Sequence, residues 1–304
     1  MKKNVLSIGG SYFVGRVFHL MASHREELAL HLVNRGTYPM NRPNIEEYRS
    51  DRHDVDTLRQ VVPAKEYDAV IDFCAYEPGD VRSLLENLPG KVNQYILIST
   101  CSVYDSQSPC PRDEEAPTSQ KSGSDEGSQY ANKKLQLEEE AREVCREKGI
   151  HLTIFRPSFV YGPFNYAPRE SFYFKVLLQG LKVPNPTDAT GTFNFVYVKD
   201  IARILVQSIG NSKVYDGVFN LAQPEVITYE SLLKTLEQCH GEAIPTYPVT
   251  VEQVYREDIP LPFPLDVAEV YEGSKISKIL DYPYTPFEKG MKETYDIFMN
   301  AYRQ

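Results

Sequence analysis

Short apolar runs rich in β-branched and aliphatic residues alternate with helix-like stretches along the first half of the chain. The runs predict buried strands at 4–8, 28–33, 67–73, 94–100 and 151–156. Between them, helices are predicted near 15–25, 54–61, 79–88 and 129–148. Because strands and helices alternate at this spacing, we expect an α/β fold built on a doubly wound parallel sheet.

The pattern changes after Pro157, where prolines cluster between shorter strand-like and helical segments. We expect a sheet domain over 1–165 and a smaller C-terminal α/β lobe over 166–304, from which about 193–222 returns to the sheet domain. Residues 105–129 are rich in Ser, Pro and charge, which predicts a loop. That loop is either a flexible flap that closes over a site or a solvent-exposed loop without such a role.

The formal net charge of −9 disfavours a nucleic-acid partner, because such affinity depends on clustered Lys and Arg. A small anionic ligand is compatible with this charge. No apolar run approaches the roughly 20 residues that span a bilayer, so we expect a cytoplasmic protein without a membrane partner. The cysteines are scattered without a C-x-x-C pair and the histidines lack ligand spacing, so no metal site is predicted.

The first predicted strand leads into the glycine-containing segment "IGGSYFVGR" at 8–16. A dinucleotide-binding loop carries three glycines at three-residue spacing, and here Tyr12 takes the middle position. A strand before this loop and a helix after it favour phosphate binding at the helix N-terminus. We expect Tyr12 to fold over the phosphates of a cofactor and to donate one hydrogen bond. The candidate cofactor contacts are Gly9, Gly10, Tyr12, Phe13, Val14 and Gly15.

The tip of the second strand bears on the choice between NAD and NADP. An acidic residue there would hold the ribose hydroxyls and select NAD, but Asn34 stands in its place. Arg35 follows and could meet a 2′-phosphate, although it could equally be an exposed turn residue. We therefore expect NADP to be somewhat favoured over NAD. Asp51, as an acceptor for the adenine amine, and its neighbour Arg52 are further candidate contacts.

Tyr130 and Lys134 are four residues apart in the longest predicted helix and so share one face of it. A tyrosine becomes a usable base when a fixed cation stabilises its phenolate. Thr100 ends the strand before the loop and offers a hydroxyl at the ligand-binding edge of the sheet, with Ser99 and Ser102 as second choices. A second Y-x-x-x-K pattern begins at Tyr271 but contains a glycine, which is poor in a helix interior.

In order along the chain, these segments resemble the extended short-chain dehydrogenase/reductase superfamily, specifically the NAD(P)-dependent epimerase/dehydratase family. The matching segments are the loop at 9–15, "VIDFCAY" at 70–76, "ILISTCSVY" at 96–104, Y-x-x-x-K at 130–134, "RPSFVYGP" at 156–163 and "FNFVYVKDIA" at 193–202. The loop looks most similar to that of a bacterial subgroup with the sequence G-G-T-R-F-I-G, which is related to plant chloroplast RNA-binding proteins.

The resemblance implies a Rossmann domain with a small substrate lobe, and a catalytic set of Thr100, Tyr130 and Lys134. The tyrosine would remove a hydroxyl proton while a hydride passes to nicotinamide, and the lysine would also hold the nicotinamide ribose. Other residues would lie along the cofactor by the same resemblance. These are Phe73, Cys74, Ala75, Pro157 and Val160.

The chain departs from the family at the substrate end. Dehydratases carry Asp-Glu after the threonine, whereas Cys101-Ser102 stands here, so the acid for elimination is missing. Nucleotide-sugar epimerases carry an arginine before "FVYV", where this chain has Phe193-Asn194, so the candidates for phosphate binding are Arg169 and Arg256. Ser102 is a candidate substrate contact.

The sequence therefore predicts an NAD(P)-dependent oxidoreductase or epimerase acting on a hydroxyl-bearing substrate, a sugar or nucleotide sugar. The alternative is a non-catalytic dinucleotide-binding regulator or interaction protein of the RNA-binding kind. Leu137, Ala141 and Val144 form one apolar stripe on the long helix, and its other faces are charged. A monomer is therefore favoured over a homodimer built on that helix.

Overall fold

The computed structural model describes residues 2–302. The strands are β1 Lys3–Ile8, β2 Leu28–Asn34, β3 Ile45–Arg49, β4 Lys65–Tyr67, β5 Ala69–Asp72, β6 Gly90–Val92, β7 Gln94–Ile98, β8 His151–Pro157, β9 Phe159–Tyr161, β10 Val183–Pro186, β11 Thr192–Phe193, β12 Phe195–Tyr197, β13 Gly217–Leu221, β14 Thr246–Val249 and β15 Ala268–Glu269. The helices are α1 Phe13–Ala22, α2 Val55–Val61, α3 Asp80–Asn87, α4 Glu126–Lys148, α5 Glu170–Leu178, α6 Val198–Ser208, α7 Tyr229–His240, α8 Val251–Glu257, α9 Ser274–Leu280 and α10 Phe287–Tyr302.

Seven strands form one sheet in the order β13-β8-β7-β5-β1-β2-β3, and every pairing in it is parallel. The chain builds the sheet outwards from β1, first through β2 and β3 and then on the other side through β5, β7, β8 and β13. This is a doubly wound α/β fold of the Rossmann type, as the sequence predicts. The strand order reverses between β1 and β5, and ligands of such sheets bind at that point.

Each face of the sheet is covered by a hydrophobic core layer. On one face, α2, α3 and α4 bury Leu58, Leu84 and Leu137 against the strands. On the other face, α1 and α6 pack on each other and on the sheet, and their core continues into the C-terminal residues. The stripe of Leu137, Ala141 and Val144 on α4 is fully buried, as its spacing predicts.

The C-terminal part contributes short strand pairs around the open edge of the sheet. β10 pairs with β14, β11 with β15, and β12 with β9. The segment 193–222 contributes α6 and β13 to the sheet region, because α6 packs on α1 and β13 pairs with β8. None of the described helices is long and apolar enough to cross a membrane.

The loop after β7 is fixed along much of its length. The Arg112 N–H donates to the Val270 carbonyl at 2.9 Å, and the Glu272 N–H donates to the Arg112 carbonyl at 2.9 Å. The Arg112 guanidinium is buried and donates to the carbonyls of Ser106, Ser108 and Ala268. The middle of the predicted flap is therefore anchored beside β15, and α4 begins at Glu126, inside the range predicted to be loop.

Candidate active site

A cavity of about 700 Å³ follows the carboxyl edge of the sheet. The ends of β1, β2, β7 and β8 reach it through Ile8, Asn34, Ile98 and Pro157. Phe73, Cys74 and Val160 also line it, as do Asp51 and the full glycine loop. Most of the sequence-predicted site residues therefore lie around one space, at the topological switch point of the sheet.

The glycine loop is folded too tightly to accept side chains at its turn. Gly9 and Gly10 have φ values of 72° and 89°, in the left-handed region that favours glycine. A Cβ on Gly15 would lie 2.1 Å from the Gly10 Cα, so the helix start and the turn are in direct backbone contact. Phe13 also has a positive φ, of 32°, which is strained for an aromatic residue. The loop therefore has the backbone shape that phosphate binding requires.

His19 supports this loop from below. Its ring is buried, and because the Gly10 carbonyl can only accept, the Nδ1–H of His19 donates to it at 3.2 Å. Burial lowers the pKa of His19 to about 4, so the ring is neutral at pH 7. The start of α1 has no side-chain cap, so its first N–H groups remain for a ligand. These features fit the pyrophosphate of a dinucleotide.

Tyr12 stands directly before α1 and half of it is exposed. Its ring packs edge-on against Tyr38, with 4.7 Å between the ring centroids. Both tyrosines line the cavity. Tyr38 lies in the loop after β2, where neither periodicity nor a motif predicts a site residue.

The side chain of Asn34 is used within the protein. Its Nδ2 donates to Glu47 at 3.0 Å, and its Oδ1 accepts from the Gly36 N–H at 2.7 Å. Glu47 also accepts from the N–H groups of Met40 and Asn41. Arg35 is exposed on the cavity wall. A carboxylate beside Asn34 disfavours a 2′-phosphate there, because like charges repel.

Arg52 lines the cavity, but its guanidinium is held by the protein. It donates to Asp72 Oδ1 at 2.9 Å and to the Asp80 carbonyl at 2.8 Å. Cys74 lies next to it, and burial raises the pKa of its thiol to about 12. Arg52 therefore ties the end of β5 to α3, and the adjacent half-exposed Asp51 accepts from the N–H of His53 at 2.9 Å.

Lys134 projects from α4 into the base of the cavity. Its ammonium donates to the carbonyls of Ala75 at 2.8 Å and Ile98 at 2.9 Å. It lies 4.7 Å from the ring centroid of Tyr76 and 5.8 Å from that of Tyr130. Burial lowers the pKa of Lys134 to about 8. Ala75 was expected to lie along the cofactor. It is fully buried and does not line the cavity, and its carbonyl accepts from Lys134.

Tyr130 and Thr100 both line this cavity. Tyr130 is 40% exposed, yet burial around its phenol raises the pKa to about 12. Tyr166 opposes ionisation of Tyr130, and the positive charge of Arg169 favours it. The Thr100 hydroxyl lies 3.2 Å from the hydroxyl and from the N–H of Ser102. Ser99 instead donates to buried Glu138 at 2.6 Å and is not free for a ligand.

Arg169 also lines the cavity, and none of the ion pairs among the described residues includes it. Its guanidinium donates to the Val160 carbonyl at 3.3 Å and lies 5.6 Å from the Phe159 ring centroid. Burial lowers its pKa, since removal from water disfavours the charged form. The adjacent Glu170 is engaged by the N–H of Gly162 and the side chain of Asn165.

Arg256 was expected at the site and is not there. It lies exposed on α8, pairs with Glu252 and Glu257, and does not line the cavity. Besides Tyr38, sequence reasoning missed several cavity residues with ionisable side chains. These include Tyr76, Tyr166 and Glu269. Burial raises the pKa of Glu269, which lies near Arg112 and Lys121. They lie in loops or at the end of a short strand, where no pattern signals the direction of a side chain.

The sequence profile described as the NAD dependent epimerase/dehydratase family matches residues 5–222. The chain belongs to this family of enzymes. A plant relative, the chloroplast stem-loop binding protein of 41 kDa b from Arabidopsis thaliana, is 29% identical over 254 residues. The match covers 79% of this chain and spans 64% of the relative's length.

Solved structures of epimerases and dehydratases share the fold. UDP-glucose 4-epimerase from Thermotoga maritima matches with a TM-score of 0.78 at 18% identity, covering 98% of this chain and 99% of that one. UDP-glucuronic acid 4-epimerase from Bacillus cereus, in complex with UDP-glucuronic acid and NAD, matches with a TM-score of 0.77 at 19% identity, covering 98% and 100%. dTDP-glucose 4,6-dehydratase from Bacillus anthracis, in complex with NAD, matches with a TM-score of 0.74 at 19% identity. The match covers 98% of this chain and 97% of that one.

The expectation that NADP is favoured is wrong. The epimerase and dehydratase structures with a dinucleotide contain NAD rather than NADP. The geometry at the tip of β2 gives a physical reason, because Asn34 is bound to the carboxylate of Glu47. The prediction that Arg35 meets a 2′-phosphate did not take this carboxylate into account, because Glu47 belongs to the neighbouring strand β3.

Proposed function

We propose that this chain is an NAD-dependent oxidoreductase or epimerase that acts on a hydroxyl-bearing carbon of a sugar or nucleotide sugar. The observation that carries the proposal is that Tyr130, Lys134 and Thr100 line the same cavity as the glycine loop, with the Lys134 ammonium 5.8 Å from the Tyr130 ring centroid. When bound, NAD would accept a hydride from the substrate carbon and, in an epimerase, return it to the opposite face.

Tyr130 is the proposed acid/base. Its phenol would take the proton of the substrate hydroxyl as the hydride leaves, and would return it in the reverse step. Lys134 supports this role because its ammonium, fixed by two carbonyls, lies against the Tyr130 ring and stabilises a phenolate. Its third N–H is available to a ligand hydroxyl.

Thr100 and Arg169 are the proposed substrate contacts. The Thr100 hydroxyl can donate to the substrate oxygen from which Tyr130 removes the proton, which would orient that oxygen. Arg169 would bind an anionic group of the substrate, because a half-buried guanidinium without a carboxylate gains most from an anionic ligand. Ser102 lines the cavity beside Thr100 and is a further contact.

The substrate class is supported by the family and by the ligands of structurally similar proteins. UDP-glucose and UDP-glucuronic acid are present in two of those structures. Elimination chemistry is less favoured, because the positions after Thr100 hold the buried Cys101 and the exposed Ser102 rather than a carboxylic acid. Epimerisation or simple oxidation needs only the tyrosine as acid/base.

The test uses the two tyrosines that begin a Y-x-x-x-K pattern and line the same cavity. Purified protein with NAD is incubated with UDP-glucose, UDP-glucuronate and dTDP-glucose, and products are resolved by chromatography and NMR. Tyr130→Phe is expected to lose turnover by at least about a hundredfold while calorimetry shows unchanged NAD binding. The matched control, Tyr271→Phe, is expected to keep most activity. Full activity of Tyr130→Phe would contradict the proposal.

The alternative is a non-catalytic, RNA-binding protein, and one observation favours it. The Arabidopsis relative is named for stem-loop binding. The net charge of −9 opposes it, because nucleic-acid binding releases counterions from clustered cations. A gel-shift titration with a stem-loop RNA, at two salt concentrations, distinguishes the two. Submicromolar, salt-dependent binding without turnover would favour the alternative.

A further inference from the structure

Two half-exposed tyrosines contact each other at the wall of the cavity, and one of them belongs to the glycine loop. Tyr12 and Tyr38 are each 49% exposed, their rings meet edge-on at 4.7 Å, and the interplanar angle is 64°. Tyr12 belongs to the loop between β1 and α1, and Tyr38 belongs to the loop between β2 and β3. The ring contact therefore joins two loops, which follow the neighbouring strands β1 and β2, at the cavity wall.

The backbones that carry these rings are fixed, although the rings are not buried. Arg16 donates to the Ser11 carbonyl at 3.5 Å and contacts the Met40 sulfur at 3.9 Å, so it links the two loops. Around Tyr38, the N–H of Gly36 is bound by Asn34 and that of Met40 by Glu47. Opening of the pair therefore needs only side-chain rotation, which is fast for exposed residues.

We propose that Tyr12 and Tyr38 form a latch that controls the entry and release of the dinucleotide. The inference rests on the proposed binding of NAD, whose phosphates would reach the N–H groups at the start of α1, directly after Tyr12. Both rings are part of the wall of the cavity into which those N–H groups face, and Tyr12 is the residue directly before the helix. The latch opens to admit the dinucleotide and closes again behind it.

This arrangement has a distinctive kinetic consequence. The ring contact is present before binding and is restored after it, so it is lost only in the open state through which the dinucleotide passes. Weakening the contact should therefore raise the association and dissociation rates by the same factor and leave Kd unchanged. The phosphate hydrogen bond that the sequence analysis expects of Tyr12 is a different role, because losing a direct contact with the cofactor would weaken Kd, mainly through the dissociation rate.

The experiment measures both rates for the full-length protein by stopped flow. The chain has no tryptophan, so the fluorescence of NADH itself is the signal. Association is followed at several NADH concentrations, and dissociation is followed by displacing NADH with excess NAD. Tyr38→Ala and Tyr12→Ala are each expected to raise both rates about tenfold. This factor corresponds to the interaction free energy of one aromatic pair, which either change removes. The double variant is expected to add little, because either change breaks the same contact.

Tyr255→Ala is the matched control, since Tyr255 is an exposed tyrosine on α8 away from the cavity. It should leave both rates unchanged, and circular dichroism should show all variants folded. Unchanged rates in Tyr38→Ala would overturn the latch while leaving the proposed function intact, as would a weaker Kd with an unchanged association rate. Absence of NADH and NAD binding to the unaltered protein would overturn both the latch and the proposed function.

Discussion

Replacing Glu138 by leucine tests the buried ion pair between α4 and β8. Glu138 on α4 is fully buried and accepts from Arg156 at 2.9 and 2.6 Å, from Ser99 at 2.6 Å and from Arg142 at 3.0 Å. Arg156 on β8 is only 4% exposed. Glu138→Leu leaves this guanidinium buried without its partner, and breaking such a pair costs about 3–5 kcal/mol.

The assay is urea unfolding of the single variants, the double variant and a control. We expect Glu138→Leu/Arg156→Leu to be more stable than Glu138→Leu, because the double variant leaves no uncompensated charge in the core. Glu139→Leu, at the exposed neighbouring position, should change the free energy of unfolding by less than about 0.5 kcal/mol. The reasoning would be refuted if the free energy of unfolding of the double variant fell by the sum of the decreases in the two single variants.

The pH dependence of this pair has a definite sign. Arg156 and Ser99 hold the pKa of Glu138 below its usual value of 4.5, so the folded state favours the carboxylate. Its contribution to stability is therefore present above pH 4.5 and is lost as the pH falls through the lower, folded-state pKa. The variant Glu138→Leu should lack this acid-induced loss.

Three further predictions concern the cofactor loop, a buried acid and the oligomeric state. Gly15→Ala should abolish NAD binding in calorimetry, because its Cβ would lie 2.1 Å from the Gly10 Cα. Burial raises the pKa of Glu170 from 4.5 to about 7, so stability should fall as the pH rises from 4.5 to 7. Glu170→Gln should flatten that fall in thermal melts, and an unchanged slope would contradict the assignment. Light scattering should show a monomer, because Arg82 on α3 already pairs with Glu143 and Glu147 on α4.

Most of the sheet could be predicted from apolar runs, because buried parallel strands are continuously hydrophobic. β3, with the sequence IEEYR, was not among the predicted runs because it lies at the sheet edge and carries charges on exposed positions. The predicted strand at 67–73 is divided in the structure, where β4 ends at Tyr67 and β5 begins at Ala69. β4 pairs with β6 outside the main sheet.

The site was predictable where chemistry follows from spacing along one element. Tyr130 and Lys134 share a helix face, and Thr100 lies two residues after β7, so local rules place them around the same cavity. Contacts between distant segments were not predictable. Asn34 was interpreted as a cofactor contact, but its amide is bound by Glu47 from another strand. Arg256 has nearby acids on its own helix and forms ion pairs with them instead of reaching the cavity.

The electrostatics of the site impose an order on the proposed reaction. Burial acts against ionisation of both central residues, since it raises the pKa of Tyr130 to about 12 and lowers that of Lys134 to about 8. At pH 7 the protein alone therefore keeps Tyr130 protonated and unable to act as a base. A further positive charge near the phenol would lower its pKa, and oxidised nicotinamide carries such a charge. Tyr130 should thus become a base only after NAD⁺ has bound, so the substrate hydroxyl should lose its proton only in the complex that also holds NAD⁺.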